Sequence, residues 1–170
     1  MFKKGSKTNQ DNYRGITLLN TTLKLFTKFV LRKLLQYLQP REEQQGFRKT
    51  RSTTDAIFIV RQIVEKSTEF NHTAYICFVD LTKAFDRVRL ADVTACLRER
   101  EVPEQIVKVI KEMNTDTIAR IRSNGQTSRP ITLKNGVRQG DSLSPMLFNL
   151  IIDKIVANLP MKLGYRMGNS

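Results

Sequence analysis

The 170-residue chain contains no tryptophan, a single histidine and only two cysteines. With His72 as its one imidazole, it has no His-based catalytic pair and no His-rich zinc site. Cys77 and Cys96 lack metal-ligand spacing and sit in apolar surroundings, so they read as reduced packing residues of an intracellular protein. No apolar run approaches the length of a membrane-spanning helix. The start, Met1-Phe2-Lys3-Lys4-Gly5-Ser6, leads into polar residues rather than the apolar core of a signal peptide. No membrane partner is therefore expected, and a cytoplasmic or nuclear location is. Carboxylates are also scarce: 16 Asp and Glu stand against 29 Lys and Arg, a formal net charge of +13, with a pI near 10.1. Such an excess favours polyanions, nucleic acid first and an anionic membrane surface second.

An apolar content of 40% with 26% charged residues suits one globular domain long enough to bury a core. Residues 1–11 form a polar, basic lead expected to lack fixed structure. From Leu23 to Leu38 the period is helical, with Leu23, Phe26, Val30, Leu34 and Leu38 on one face, Leu31 and Leu35 beside them, and Pro40 as the stop. A charged loop over 41–52 contains Gly46. Thr53-Thr54-Asp55 offers caps for a helix running to about Glu69 that buries Ile57, Val60, Ile63 and Val64. Leu90 to Glu99 is amphipathic, and Pro103 at a first helical position opens a helix with Ile106, Val109, Ile110 and Met113 inward. Ile118 to Arg122 alternates ahead of Asn124-Gly125, a hairpin signal, and Pro130 marks the return strand as an edge. Ser144-Pro145 caps and starts a last helix through about Asn158. The pattern predicts an α+β fold, a small sheet flanked by helices.

The stretch Ala74-Tyr75-Ile76-Cys77-Phe78-Val79-Asp80 carries the most chemistry. Its apolar residues read as a strand buried on both faces, ending on a carboxylate. Mg²⁺ prefers carboxylate oxygens, usually one or two plus substrate phosphates. Taken alone, a strand-terminal Asp is more often a turn former or helix cap. Gln45-Gly46-Phe47-Arg48-Lys49-Thr50-Arg51-Ser52 places three cations on a flexible lead into a helix, where arginine offers bidentate contacts to phosphate. Taken alone it is also a solvated loop. Arg138-Gln139-Gly140-Asp141 puts a small residue where backbone approaches something closely, with an amide beside it.

Asn12-Tyr13-Arg14, Gln45-Gly46-Phe47-Arg48, Phe78-Val79-Asp80-Leu81-Thr82-Lys83-Ala84-Phe85-Asp86 and Gly136-Val137-Arg138-Gln139-Gly140-Asp141-Ser142-Leu143-Ser144-Pro145 follow one another as in a reverse transcriptase. The chain resembles most the enzymes of non-LTR (LINE-type) retrotransposons. Gly15 stands where that family commonly has proline, as does Ser142. The resemblance implies a right-hand polymerase fold, with residues 12–73 as fingers, 74–170 as partial palm, and no thumb. It implies RNA-directed DNA polymerase activity on an RNA template and DNA primer with deoxynucleoside triphosphates, within a retroelement polyprotein. Asp80 would be a catalytic ligand of two Mg²⁺ ions, Mn²⁺ being a substitute, with the Leu81 carbonyl on one of them. Arg48 and Arg51 would clamp the triphosphate, Gln139 and Gly140 would line the nucleotide and template pocket, and Phe85 would lie under the deoxyribose. The family's remaining carboxylates belong to an Ala-Asp-Asp hairpin after the last helix. Here the chain reads Gly164-Tyr165-Arg166-Met167-Gly168-Asn169-Ser170 instead, while Asp86, Asp141 and Asp153 fall elsewhere. The expectation is a fragment truncated before that hairpin and inactive alone. Two alternatives stay open: a non-catalytic nucleic-acid-binding remnant, and, less favoured, a metal-dependent nuclease using Asp80.

Overall fold

The structure, a computed structural model, describes residues 2–9, 12–13, 15–123 and 125–159. The expectations at Arg14, at Asn124 and over 164–170 lie outside the described residues. Within the lead, Phe2 bridges to Tyr13, and the Lys3 N–H donates to the Asn12 carbonyl at 2.7 Å. Helix α1 spans Thr21–Leu34, its N-cap Asn20 accepting from the Leu23 N–H at 2.7 Å. The inward face is Thr27, Val30 and Leu34, continued by Leu38 in the turn that follows. Phe26, expected on that face, and Leu35, expected beside it, are exposed. The face rotates toward Thr27 at no hydrogen-bonding cost, because its hydroxyl donates to the Lys24 carbonyl at 3.1 Å.

Helix α2 spans Thr53–Glu69. Its cap is Ser52 rather than Thr53, Thr54 or Asp55, because Asp55 completes a reciprocal box: it accepts from the Ser52 N–H at 2.7 Å, and its own N–H donates to Ser52 Oγ at 3.3 Å. The expected burial does not occur. Ile57 is 66% exposed, Val64 is exposed, and Val60 and Ile63 are half-buried. Extensive helix packing runs between α3 and α4 and between α3 and α5, which leaves the apolar side of α2 open.

The largest correction concerns residues 74–80, which form no strand. Tyr75 is 95% exposed and Phe78 83%, and Cys77 is exposed rather than packed. A strand exists only through its ladder. Among the described residues nothing pairs with this backbone, so composition suited to burial stands exposed to solvent.

A 3₁₀ turn at Phe85–Arg87 leads into α3, Leu90–Glu99, and α4, Glu104–Asn114. Pro103 is the N-cap of α4, one position before the helix. Strands β1, Thr117–Ala119, and β4, Ile131–Leu133, pair antiparallel, with Ile118 opposite Thr132. Between them β2, Arg122–Ser123, pairs with β3, Gln126–Thr127, Arg122 lying opposite Thr127. The register slips by one residue between the two ladders, at Pro130, which has no N–H to donate. Helix α5 spans Ser144–Ala157. Its N-cap is Leu143, so Ser144 is already helical, and Pro145 sits in the first turn.

The core joins Val93, Cys96 and Leu97 of α3, Val107 and Ile110 of α4, and Leu147 and Leu150 of α5 to Val30 and Leu34 of α1. Burial pushes the Cys96 thiol up from its ordinary pKa. Many large apolar side chains outside the core are uncovered, among them Leu18, Tyr75, Phe78 and Val79. No helix among the described residues is long and apolar enough to cross a membrane.

Leu97→Ala is expected to cost about 2–5 kcal/mol in urea unfolding, because it empties the meeting point of the core helices. Val64→Ala on the open face of α2 should stay within about 0.5 kcal/mol. Equal losses would show that α2 belongs to the core.

Candidate nucleotide and nucleic-acid site

Three segments meet at Phe85. Its ring stacks on Phe148 of α5 with centroids 4.9 Å apart and 17° between planes. Phe47, from the arginine-bearing loop, meets it nearly edge-on at 6.0 Å and 78°. From the third segment, Val137 N–H donates to the Phe85 carbonyl at 2.9 Å, and Gly136 N–H to the Val88 carbonyl at 2.8 Å. Gly136 has φ +97, and a Cβ there would lie 3.0 Å from Asp86 Cα. Only glycine lets the two backbones approach so closely.

The next turn is fastened in the same way. Thr17 N–H donates to the Gln139 carbonyl at 2.8 Å. Gly140 has φ +110, and a Cβ there would lie 2.9 Å from the Thr17 carbonyl oxygen. Beside this junction opens a cleft of ≈ 210 Å³, whose lining includes Thr17, Asp86, Asn114, Asn135, Arg138 and Gln139. Arg138 is committed to structure: its guanidinium donates to the Met113 carbonyl at the end of α4 and to Thr117 Oγ1. Asp141 is buried and accepts the Leu143 N–H at 3.2 Å, which sets the start of α5.

The arginine loop, expected to be flexible, is pinned. Asn149 Nδ2 of α5 donates to the Gly46 carbonyl at 2.8 Å, and the Arg41 N–H donates to Asp153 Oδ1 at 3.3 Å. Asp153 Oδ2 accepts from Arg100. Arg48 donates to the Arg41 carbonyl at 2.9 Å and to Glu42 Oε1 at 2.8 Å, while Arg51 donates to Glu42 Oε2 at 2.7 Å. One carboxylate thus holds both guanidinium groups side by side. The hydrogen bond from Arg48, then its charge and that of Arg51, hold the Glu42 carboxyl below the usual carboxylate range.

The expected site residues therefore divide. Arg48, Phe85, Gln139 and Gly140 are linked through Phe47 and the glycine turns, and Arg51 joins them through Glu42. Asp80 and Leu81 are not brought in: both lie exposed on the unpaired segment, and Asp80 accepts no hydrogen bond from the described residues. Among the described residues no three His, Cys, Asp or Glu side chains gather as a metal cage. As a donor, Asp80 still has the chemistry Mg²⁺ takes, a hard oxygen completed by phosphates and water. Glu42, Phe47, Asn149 and Asp153 were missed as site-forming residues. Asn149 and Asp153 did leave a trace, as polar residues four apart in a largely apolar helix.

Paired guanidinium groups on a fixed loop thus lie near an aromatic cluster and an amide-lined cleft in a basic α+β domain. The chain belongs to the reverse transcriptase (RNA-dependent DNA polymerase) family, whose profile it matches over residues 2–167. It is 28% identical over 165 residues to the retrovirus-related Pol polyprotein from type-2 retrotransposable element R2DM of Drosophila melanogaster, covering 97% of this chain and 16% of that protein. A retrovirus-related Pol polyprotein from a type-1 retrotransposable element R2 of Popillia japonica is 27% identical over 158 residues, covering 92% and 22%. The RNA-directed DNA polymerase from mobile element jockey of Drosophila melanogaster is 25% identical over 158 residues, covering 91% and 17%. The chain thus spans about a fifth or less of the length of the first two of these relatives.

Because its pKa is lowered by Arg48 and Arg51, Glu42 should keep its ion pairs as pH falls through the ordinary carboxylate range. It should release them only below that range. Carboxyl titration by NMR should show this, and Arg48→Ala should move the Glu42 midpoint upward. An unmoved midpoint would show that the bridge does not form in solution.

Proposed function

We propose that this chain forms the fingers, residues 12–73, and part of the palm, residues 74–170, of a retroelement RNA-directed DNA polymerase with a right-hand fold. The reaction joins the primer 3′-oxygen to the α-phosphorus of a deoxynucleoside triphosphate on an RNA template, and pyrophosphate leaves. The observation that carries the reading is the convergence on Phe85, where the Gly46-Phe47 loop, the Ala84-Phe85-Asp86 turn and the Gly136–Gly140 loop meet in a chain of this family.

In this reading Arg48 and Arg51 receive the triphosphate. Their guanidinium groups already lie side by side, and a phosphate would replace the Glu42 carboxylate as their acceptor. Gln139 borders the cleft that takes base and template, and Gly140, next to it in the chain, lines the same pocket once nucleotide and template are bound. The Phe85 ring, held by Phe47 and Phe148, is a fixed wall under the sugar. Asp80 and the Leu81 carbonyl are ligands for Mg²⁺, for which Mn²⁺ substitutes. Bound there, two such ions supply charge neutralisation for phosphoryl transfer. The protein's partners are RNA template, DNA primer and the rest of a Pol polyprotein.

The test places this chain in the matching segment of the R2DM polyprotein. Asp80→Asn should abolish nucleotide addition while RNA binding persists, because binding rests on Lys and Arg. Near-normal extension would overturn the Asp80 assignment. A chimera that binds RNA but never extends a primer would favour a nucleic-acid-binding remnant instead.

Phe85→Val should raise ribonucleotide relative to deoxyribonucleotide incorporation, since the ring would no longer exclude a 2′-hydroxyl. The ratio is the informative readout, because loss of folded protein lowers both rates together. An unchanged ratio would leave Phe85 as packing alone.

A further inference from the structure

Among the described residues the four cations of helix α1 have no acidic partner, unlike those of α2 and the paired cations of α3 and α5. On α2, Arg61 pairs with Glu65 and Lys66 with Glu69. Arg98 with Glu104 joins α3 to α4, and Lys154 of α5 pairs with Glu99. Lys24, Lys28, Arg32 and Lys33 all stand exposed on α1, yet among the described residues none pairs with a carboxylate. The sequence removes every local partner, for no Asp or Glu occurs from Asn12 to Arg41.

The inward face of α1 is Thr27, Val30 and Leu34. Away from it run two neighbouring stripes at the four-residue spacing of a helix surface: Lys24, Lys28 and Arg32, then Leu25, Phe29 and Lys33. Leu25 is 64% exposed and Phe29 58%. Lys33 Nζ lies 5.9 Å from the Phe29 ring centroid. Like charges one helical turn apart repel, so this face gains from an anion that spans several of them. An exposed ring bordered by unpaired cations suits a single strand, with phosphates on the cations and a base on the ring. A duplex would leave the ring unused. A bilayer surface would need a broad apolar face, and outside the core α1 exposes Leu25, Phe26 and Phe29 among its cations.

We propose that the outer face of α1 is a docking surface for a single-stranded stretch of RNA, separate from the cleft at Gln139. The family's RNA dependence selects RNA as the strand, and none of the cleft's lining residues belongs to α1. At 14 residues the helix is about 21 Å long, room for several nucleotides. Thr17, which lines the cleft, lies just ahead of the N-cap Asn20 in the chain.

The test measures binding of an unstructured RNA oligonucleotide to the full chain by fluorescence anisotropy across a salt series. Lys24→Gln/Lys28→Gln/Arg32→Gln should weaken binding roughly tenfold or more near 0.1 M salt. It should also flatten the log–log salt slope by about 2, at about 0.7 per phosphate contact on a single strand. Phe29→Leu should weaken binding by about fivefold or more with the slope unchanged. Arg61→Gln/Lys66→Gln, on α2, should leave both unchanged. Far-UV circular dichroism checks that α1 persists; if the triple variant loses it, Phe29→Leu and Lys28→Gln carry the test. Unchanged affinity and slope, an equal loss in the α2 variant, or a loss seen only on vesicles of anionic lipid would each overturn the proposal. Nucleotide addition is not read, so failure of the polymerase reading leaves the result interpretable.

Discussion

Much of the layout hangs on one buried charge. Asp153 sits in α5 with its carboxylate nearly sealed from solvent, answered by Arg100 at the end of α3 and by the Arg41 N–H. A buried carboxylate left without its partner costs about 3–5 kcal/mol. The helix that carries it therefore fixes where α3 ends and where the arginine loop begins. One turn earlier, Asn149 makes the same kind of demand on Gly46. From there the placement of Phe47 against Phe85 follows, and Phe85 in turn is bonded through its backbone to the Gly136 loop. The packed helices thus reach the site through a few obligatory polar contacts rather than through further apolar packing.

The helices were legible because their signals are local. Apolar period, Pro103, the polar run ahead of α2, and Pro145 all act within a turn or two. Burial is not local. Ala74 to Val79 has the composition of a strand covered on both faces, and α2 has an apolar side at Ile57 and Val64, but composition reports only that a surface favours cover. Whether it receives any depends on backbone and side chains far away in sequence. The overturned expectations at Tyr75, Phe78, Cys77 and Ile57 all share this cause.

The site divides along the same line. The order and spacing of the family's segments were readable, and Gly140 was recognisable as a point of close approach. The structure adds what approaches it, the Thr17 carbonyl. Arg48 and Arg51 were readable as cations. That Glu42 binds both was not, since three charges in one loop do not reveal which of them fold back on one another. Phe47 and Phe148 were missed as partners of Phe85 because ring stacking joins positions scattered across the whole chain.

The surface left open by α2 and residues 74–81 has a thermodynamic consequence. Heat capacity of unfolding and denaturant sensitivity both scale with surface newly exposed when the chain unfolds. Here Tyr75, Phe78, Val79 and Ile57 are hydrated before unfolding begins, so they add to neither quantity. The native state should melt over a broad range, with a flat stability curve for its length. Anything that covers those side chains would be announced by a negative heat-capacity change on binding, a signal that calorimetry reads without knowing what the partner is.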